Sequence, residues 1–240
     1  MIKPENINFS DVKTGLQPEI PVCDFTLIQQ ELERRPIPSN QYRLNSGIGR
    51  SQAFGLVNRR SMPPDMSRMC WQRTYLYKLL LDFGKKHCPL PYTSITVNQN
   101  YQVSRHRDHG NTGSSFLVAF GDYEGGELVI EDGPNAGTHN IKNTPIIADF
   151  NEAWHSVKPF TGNRYSLVFY TLDPKGRGSI DNIPQPSVRF ENDRWVFYRG
   201  EEQIGKGLAH PLRGRVKPKK KDRPVASFTR TEGEVVITLD

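Results

Sequence analysis

Three residues with metal-binding side chains occur at two places in this chain of 240 residues. His106 and Asp108 form a His-x-Asp pair after a strand-like run, and His155 lies 49 residues further on, at the start of another such run. Because residues i and i+2 of an extended strand share a face, His106 and Asp108 can bind one ion together. Two imidazoles and one carboxylate on one face of an octahedron leave three positions open, the arrangement of non-haem iron(II) oxygenase centres.

A candidate anion-binding pair follows the second histidine. Arg164 comes nine residues after His155, and Ser166 shares its strand face. A guanidinium backed by a hydroxyl suits the distal carboxylate of a dicarboxylic acid. Taken alone, a His-x-Asp pair or a histidine after a tryptophan is more often a surface or structural feature. The joint order of metal ligands, strands and Arg-x-Ser favours a metal site with an anion beside it.

The elements that must position these side chains form a train of short strands. Runs rich in β-branched and aromatic residues alternate with turn signals such as Asn-Thr-Gly at 111–113 and Gly-Gly at 125–126. The seven runs cover 94–101, 114–123, 126–132, 138–143, 145–150, 155–160 and 164–171. They predict an all-β sandwich of the jelly-roll type.

Other segments of the chain predict elements around this sandwich. Apolar residues at helical spacing predict one helix over 67–86, which Pro89 and Pro91 must follow rather than join. The runs 188–192 and 194–200, around Asn192-Asp193, predict a hairpin, and 234–240 predicts a last strand.

The order of these residues over 92–172 resembles a known family, the Fe(II)- and 2-oxoglutarate-dependent dioxygenases. Within that superfamily, Asn-Thr-Gly at 111–113 and Gly-Asp-Tyr-Glu-Gly-Gly-Glu-Leu at 121–128 resemble the nucleic-acid-oxidising TET/JBP branch and its algal and phage relatives. The resemblance implies a mainly β fold with flanking helices around a double-stranded β-helix, or cupin-like jelly roll. It also implies one dioxygenase domain over 1–240. That domain would comprise a helical, arginine-rich support region (1–91), a catalytic core (92–172) and C-terminal strands with a basic loop (173–240).

The resemblance also implies an oxidoreductase with specific site residues. His106, Asp108 and His155 would bind Fe(II), and Arg164 and Ser166 would bind 2-oxoglutarate as co-substrate. The resemblance further implies dioxygen as the second co-substrate, with ascorbate as an optional reductant. Polar residues on the strand that enters the metal motif, Asn98 and Tyr101, could assist co-substrate binding, although asparagines at strand ends also satisfy turns.

The charge distribution bears on the substrate. Residues 34–73 hold eight arginines against one acid, for a charge of +7, and residues 213–223 carry +6, so the rest of the chain is net acidic. Arginines with aromatic neighbours such as Phe54 and Trp71 suit phosphates and bases, so we expect the first segment to contact a polyanion. For the run at 213–223, two interpretations have equal weight: a contact with nucleic acid, and a solvated loop or localisation tag.

These features together predict DNA as the partner and the methyl group of a 5-methylpyrimidine, 5-methylcytosine or thymine, as the reacting group. A flipped base would meet Asn111 and His109, unless these two residues only cap a turn, and Arg50 would contact phosphate. One alternative is a 2-oxoglutarate-dependent hydroxylase of a protein side chain or a small metabolite. Another is a non-catalytic jelly-roll binding module.

The remaining composition concerns compartment and assembly. Cys23, Cys70 and Cys88 are widely spaced, without a C-x-x-C pair, so we expect buried apolar thiols rather than disulfides or a zinc site. No apolar run has the length of a membrane span, and the first residues lack a secretory signature. We therefore expect a monomer in the cytoplasm or nucleus, neither secreted nor bound to a membrane.

Overall fold

A computed structural model describes residues 12–39, 47–59, 62–174 and 186–204, with the backbone of 227–231 and 234–238. The chain divides into two compact units, 1–207 and 208–240. In the first unit the strands are β1 (Gly15–Leu16), β2 (Gly47–Arg59), β3 (Met62–Met66), β4 (Ser94–Val103), β5 (Asn111–Gly125), β6 (Leu128–Ile130), β7 (Gly137–His139), β8 (Ile146–Ala148), β9 (His155–Val157), β10 (Phe160–Leu172), β11 (Pro186–Glu191), β12 (Arg194–Arg199) and β13 (Glu202–Gln203). Its helices are a 3-10 turn (Val22–Phe25), α1 (Thr26–Arg34), α2 (Met69–Gln72) and α3 (Thr74–His87). The second unit contains the hairpin of β14 (Ser227–Thr231) and β15 (Glu234–Thr238).

Two antiparallel sheets position the candidate site. The large sheet has the order β1-β8-β5-β10-β4-β2-β3, and the small sheet has the order β7-β6-β9. Each predicted run between 94 and 171 contributes one strand, because its β-branched and aromatic residues fit a pleated, half-buried surface. The long neighbours β5 and β10 pair from Phe160 opposite Gly125 to Leu172 opposite Asn111.

Strand β5 separates two apolar cores because its side chains alternate between the two faces of the sheet. Phe116, Val118 and Phe120 pack in the core that also contains the helices. Leu117 and Ala119 pack in a second core with residues of β6 and β8. The large sheet is therefore covered by helices on one face and by the small sheet on the other. This arrangement confirms the prediction of a mainly β fold with flanking helices and a jelly-roll core.

The helix predicted over 67–86 is interrupted at Arg73. This residue leaves helical geometry, with φ −132° and ψ 49°, between α2 and α3. Its buried guanidinium lies 3.4 Å from a carboxylate oxygen of Glu31 in α1. Local periodicity does not reveal the break, because the ion pair joins residues 42 positions apart.

The N-terminal region contributes more regular structure than its sequence pattern predicted. Helix α1 and strands β2 and β3 were not predicted, and β2 pairs with β4 in the large sheet. Phe54 of β2 is fully buried in the core, so the expected stacking face is wrong for this residue. Trp71 packs against Phe197, with ring centroids 6.1 Å apart.

The hairpin predicted around Asn192-Asp193 is present in the structure. Strands β11 and β12 pair around Asn192 and Asp193, whose positive φ angles of 49° and 58° suit a two-residue hairpin turn. Strand β15 lies within the predicted last strand, 234–240, whose final two residues are outside the described part of the chain. Cys70 and Cys88 are buried and Cys23 is exposed, so the expectation of burial is wrong for Cys23; all three are free thiols. Among the described residues, no helix has the length and apolar character needed to cross a membrane.

Candidate metal centre

The structure brings the three predicted metal ligands together. One ligand atom each from His106, Asp108 and His155 lies within 4.8 Å of the other two. The Nε2 atom of His106 is 3.5 Å from Oδ1 of Asp108, and the two histidine ring centroids are 4.2 Å apart. No other cluster of His, Cys, Asp and Glu has this geometry in the described part of the chain.

Main-chain hydrogen bonds hold the His-x-Asp segment against the strand that begins at the second histidine. His106 and His155 each donate an N–H to the carbonyl of the other, both at 2.9 Å. The N–H of Asp108 donates to the carbonyl of Phe150 at 2.9 Å. These bonds place residues from opposite ends of a 49-residue interval next to each other without using their side chains.

Both histidines present the same ring nitrogen to the centre. Nδ1 lies 2.9 Å from the carbonyl oxygen of Ser104 in His106 and 3.1 Å from that of Ala153 in His155. Because a carbonyl oxygen only accepts, Nδ1 donates a hydrogen in each case and Nε2 is the available ligand atom. Burial, and then the neighbouring His106, lower the pKa of His155, so its imidazole is held in the neutral form that binds metals.

Asn111 orients the carboxylate ligand. Its Nδ2 donates to Oδ2 of Asp108 at 2.8 Å, while Oδ1 faces His106. Asn111 was predicted as a substrate contact, yet it does not line the cavity beside the triad, whereas His109 does. The observed position of Asn111 is thus behind a metal ligand.

A cavity of about 190 Å³ adjoins the triad. It is lined by the four residues that were predicted to bind a co-substrate: Arg164, Ser166, Asn98 and Tyr101. Its apolar walls come largely from the second core and include Leu117, Leu128, Val157 and Val168.

Arg164 is a buried cation without a carboxylate partner among the described residues. Its residue exposure is 2%, and its Nε atom has no hydrogen-bond partner. Burial lowers the pKa of Arg164, and the nearby Tyr123 hydroxyl opposes this shift. An unpaired buried charge is costly, so this end of the cavity suits an anion. The triad and Arg164 together fit Fe(II) and 2-oxoglutarate.

The two polar neighbours of Arg164 are joined to each other. Asn98 and Ser166 are opposite each other in the pairing of β4 with β10, and Asn98 Nδ2 donates to Ser166 Oγ at 3.1 Å. The Oδ1 atom of Asn98 is buried and has no hydrogen-bond partner among the described residues. Both residues therefore hold polar atoms at the cavity wall.

Two further residues near Arg164 were not assigned a site role from the sequence. Tyr123 lies beside the guanidinium, which is 5.4 Å from its ring centroid. Gly126 has φ +71°, and a Cβ atom at this position would come within 2.9 Å of Arg164 Nε. The Gly-Gly sequence indicated unusual backbone geometry. It did not indicate that the missing side chain makes room for Arg164.

The arginine segment has a mixed outcome. Arg50 donates to the carbonyl of Ile37 at 3.0 Å and does not line the cavity. Arg73 is buried, and Arg34 pairs with Glu31. Arg43, Arg60 and the basic run 213–223 lie outside the described residues.

No protein-family model matches the chain, and a search of curated proteins finds no match. Several solved structures are similar to it. NgTET1 in complex with 5mC DNA has 16% identity and a TM-score of 0.45, with coverage of 66% of this chain and 72% of that one. An oxidoreductase of the 2OG-Fe(II) oxygenase family from Burkholderia pseudomallei has 16% identity and a TM-score of 0.45, covering 68% and 85%.

A Pseudomonas putida prolyl-4-hydroxylase has 15% identity and a TM-score of 0.43, covering 70% of this chain and 96% of its own. These matches do not single out the TET/JBP branch. The structures to which this chain is similar thus include a member of the 2OG-Fe(II) oxygenase family.

Proposed function

We propose that this protein is an Fe(II)- and 2-oxoglutarate-dependent dioxygenase that oxidises the methyl group of a 5-methylpyrimidine, 5-methylcytosine or thymine, in DNA. One observation carries the enzymatic part of this proposal. The His106–Asp108–His155 cluster and the buried, unneutralised Arg164 line the same cavity. A metal site or a buried arginine alone has many uses, but the pair suits a metal and a dicarboxylic acid bound side by side.

One group of cavity residues would bind the metal and a second group would bind 2-oxoglutarate. Nε2 of each histidine and Oδ1 of Asp108 would hold the iron. Arg164 and Ser166 would bind the distal carboxylate of 2-oxoglutarate, with Asn98 and Tyr101 beside them. Bound together, Fe(II), 2-oxoglutarate and dioxygen supply an oxidant strong enough for an unactivated C–H bond.

The protein must also keep water and its own side chains away from the reacting carbon. Apolar side chains from β5, β6, β9 and β10 form the walls beside the triad. Phe150 packs against the ring of His155, with centroids 4.7 Å apart. These contacts limit the movement of the His155 imidazole and the access of solvent to it.

The DNA part of the proposal depends on charge and reach. A methyl carbon inside a duplex cannot approach a buried ion, so the base must leave the stack and enter the cavity. His109 lines the cavity and is the candidate for the base edge. Asn111 stays a candidate only if it can serve both Asp108 and the base. Arg50, with other arginines of the 34–73 segment, would bind phosphates and give affinity without sequence information.

The test combines product analysis with a substrate panel. Methylated and unmodified DNA is incubated with the full chain, Fe(II) and 2-oxoglutarate, digested, and its nucleosides are measured by mass spectrometry. Detection of hydroxymethyl, formyl or carboxyl pyrimidines supports the proposal, provided that the Asp108→Ala variant forms none. Turnover of 2-oxoglutarate with a peptide or metabolite, but without a modified base, would instead favour a hydroxylase of that substrate. No turnover with any substrate would favour a binding module.

A further inference from the structure

Two arginines that flank the first histidine contact the residue that precedes the second histidine. Arg105 and Arg107 flank His106, and Trp154 immediately precedes His155. The guanidinium carbon of Arg105 lies 4.0 Å from the centroid of the Trp154 ring, and that of Arg107 lies 5.0 Å from it. The neighbours of one metal ligand thus hold the neighbour of the other.

Two acidic residues after β6 complete this contact. Arg105 Nε donates to both carboxylate oxygens of Glu131, at 2.8 and 2.7 Å, and Arg107 donates to Asp132 at 3.2 Å. The same two acidic residues also bind the main chain of Trp154. The Glu131 N–H donates to the Trp154 carbonyl at 2.9 Å, and the Trp154 N–H donates to the Asp132 carboxylate at 2.8 Å. These five residues are called the outer clamp below.

The outer clamp connects the 104–110 loop to the ends of the paired strands β6 and β9. Residues 104–110 lie between the end of β4 and the start of β5, and their strand-like pairing is confined to the bridge of His106 with His155. A loop of this kind loses conformational entropy when it becomes ordered. If the loop is not ordered before the metal binds, the free energy of metal binding must compensate for this entropy loss. Side-chain contacts that order the loop beforehand reduce that loss.

We propose that the outer clamp positions the metal ligands, holding the His106 loop at the distance from His155 that a divalent metal requires. This inference rests on the metal site of the proposed function. The alternative use of two surface arginines, phosphate binding, is disfavoured because Glu131 and Asp132 pair with both guanidinium groups. Arg105, Glu131, Asp132 and Trp154 are positioning residues, since they act through the histidines; Arg107 also lines the cavity.

The test measures metal affinity rather than turnover. The metal-free full chain is titrated with Mn(II) alone, and free Mn(II) is followed by electron paramagnetic resonance. Trp154→Leu removes the aromatic ring and should weaken Mn(II) binding by roughly tenfold or more, as changes behind metal ligands do. Trp154→Phe keeps a ring for the guanidinium groups and should restore part of the affinity. Arg105→Lys keeps the charge but loses the planar contact, so it should weaken binding less than Trp154→Leu.

A second tryptophan provides the matched control. Trp195 stacks on Tyr75 at 5.6 Å and has Lys78 5.9 Å from its ring, away from the metal centre. Trp195→Leu should leave Mn(II) affinity unchanged even if it lowers the melting temperature of the metal-free protein. A merely structural role for Trp154 predicts that both variants lower the melting temperature and neither changes affinity.

The outcomes separate the two proposals. Wild-type protein that binds no Mn(II) contradicts the proposed function as well as the outer clamp. Wild-type protein that binds Mn(II), with affinities of Trp154→Leu and Arg105→Lys within about twofold of it, contradicts the outer clamp alone. If Trp154→Leu does not fold, Arg105→Lys and Glu131→Gln decide the question, because both keep the indole. Arg105→Lys removes the guanidinium that contacts the ring, and Glu131→Gln removes the charge that pairs with this guanidinium.

Discussion

His106 and His155 are bonded through their main chains: each donates an N–H to the carbonyl of the other at 2.9 Å. Because this pairing does not involve their imidazoles, the backbone around the metal centre keeps its geometry when a ligand side chain is changed. Substitutions at the centre should therefore alter chemistry more than folding.

Replacing Asp108 with Ala should abolish turnover and weaken metal binding, because it removes one of three ligand atoms from the centre. The N–H of Asp108, which donates to Phe150, remains. The melting temperature of the metal-free protein should therefore change little. His139→Gln is the control: this histidine binds the Asn135 carbonyl outside the cluster, and the variant should retain wild-type metal affinity in a Mn(II) titration. Full activity in Asp108→Ala would remove the residue from the site.

Replacing Arg164 with Ala should raise the apparent KM for 2-oxoglutarate by roughly two orders of magnitude or more, because a bound carboxylate would lose its buried cation. The measurement is succinate formation as a function of 2-oxoglutarate concentration. Arg189→Ala, which removes a guanidinium on the β11–β12 hairpin paired with Glu201, should leave the constant unchanged. An unchanged constant in Arg164→Ala would instead show that the co-substrate binds elsewhere.

Gly126→Ala should weaken 2-oxoglutarate binding without changing metal affinity, because the added Cβ meets Arg164 Nε at 2.9 Å. Gly113→Ala separates this displacement from backbone strain: Gly113 has a similar φ of +67°, but a Cβ there has open space. Each variant should lose about 1 kcal/mol of stability from the left-handed backbone. Only Gly126→Ala should raise the apparent 2-oxoglutarate constant, and equal constants in the two variants would contradict the assignment.

Asn111→Ala should reduce metal affinity by roughly tenfold, since Oδ2 of Asp108 loses the hydrogen bond from the Asn111 amide. A substrate role would appear separately, as a raised KM for DNA at saturating metal. Asn151→Ala, which removes an amide bonded to Asp149, serves as the comparison. Wild-type metal affinity in Asn111→Ala would leave only the substrate role for this residue.

Arg50→Ala should reduce the salt dependence of DNA binding, lowering the slope of log K against log salt by about 0.9 for one lost phosphate contact. Gln52→Ala is a neutral control on the same strand, because Gln52 donates to the carbonyl of Pro38 as Arg50 does to that of Ile37. An equal slope in wild type and Arg50→Ala would mean that Arg50 only supports the 36–38 segment.

Much of the site could be predicted because it depends on local pattern. Runs rich in β-branched and aromatic residues between turn signals predict strands, and each run between 94 and 171 forms one. Residue types at short spacing, His106 with Asp108 and Arg164 with Ser166, predicted side chains that the structure places around one cavity. Asn192-Asp193 predicted its hairpin because these residues tolerate positive φ.

The tertiary structure decided the contacts between residues far apart in sequence. Arg73 interrupts the predicted helix and pairs with Glu31 in α1, and Gly126 leaves room for Arg164. Trp154 contacts Arg105 where the bridge of His106 with His155 joins two distant segments of the chain. The sequence alone determined which side chains could do chemistry, since residue type and period are local properties. Which of them touch depends on burial and strand register, and these are settled only when the whole chain packs.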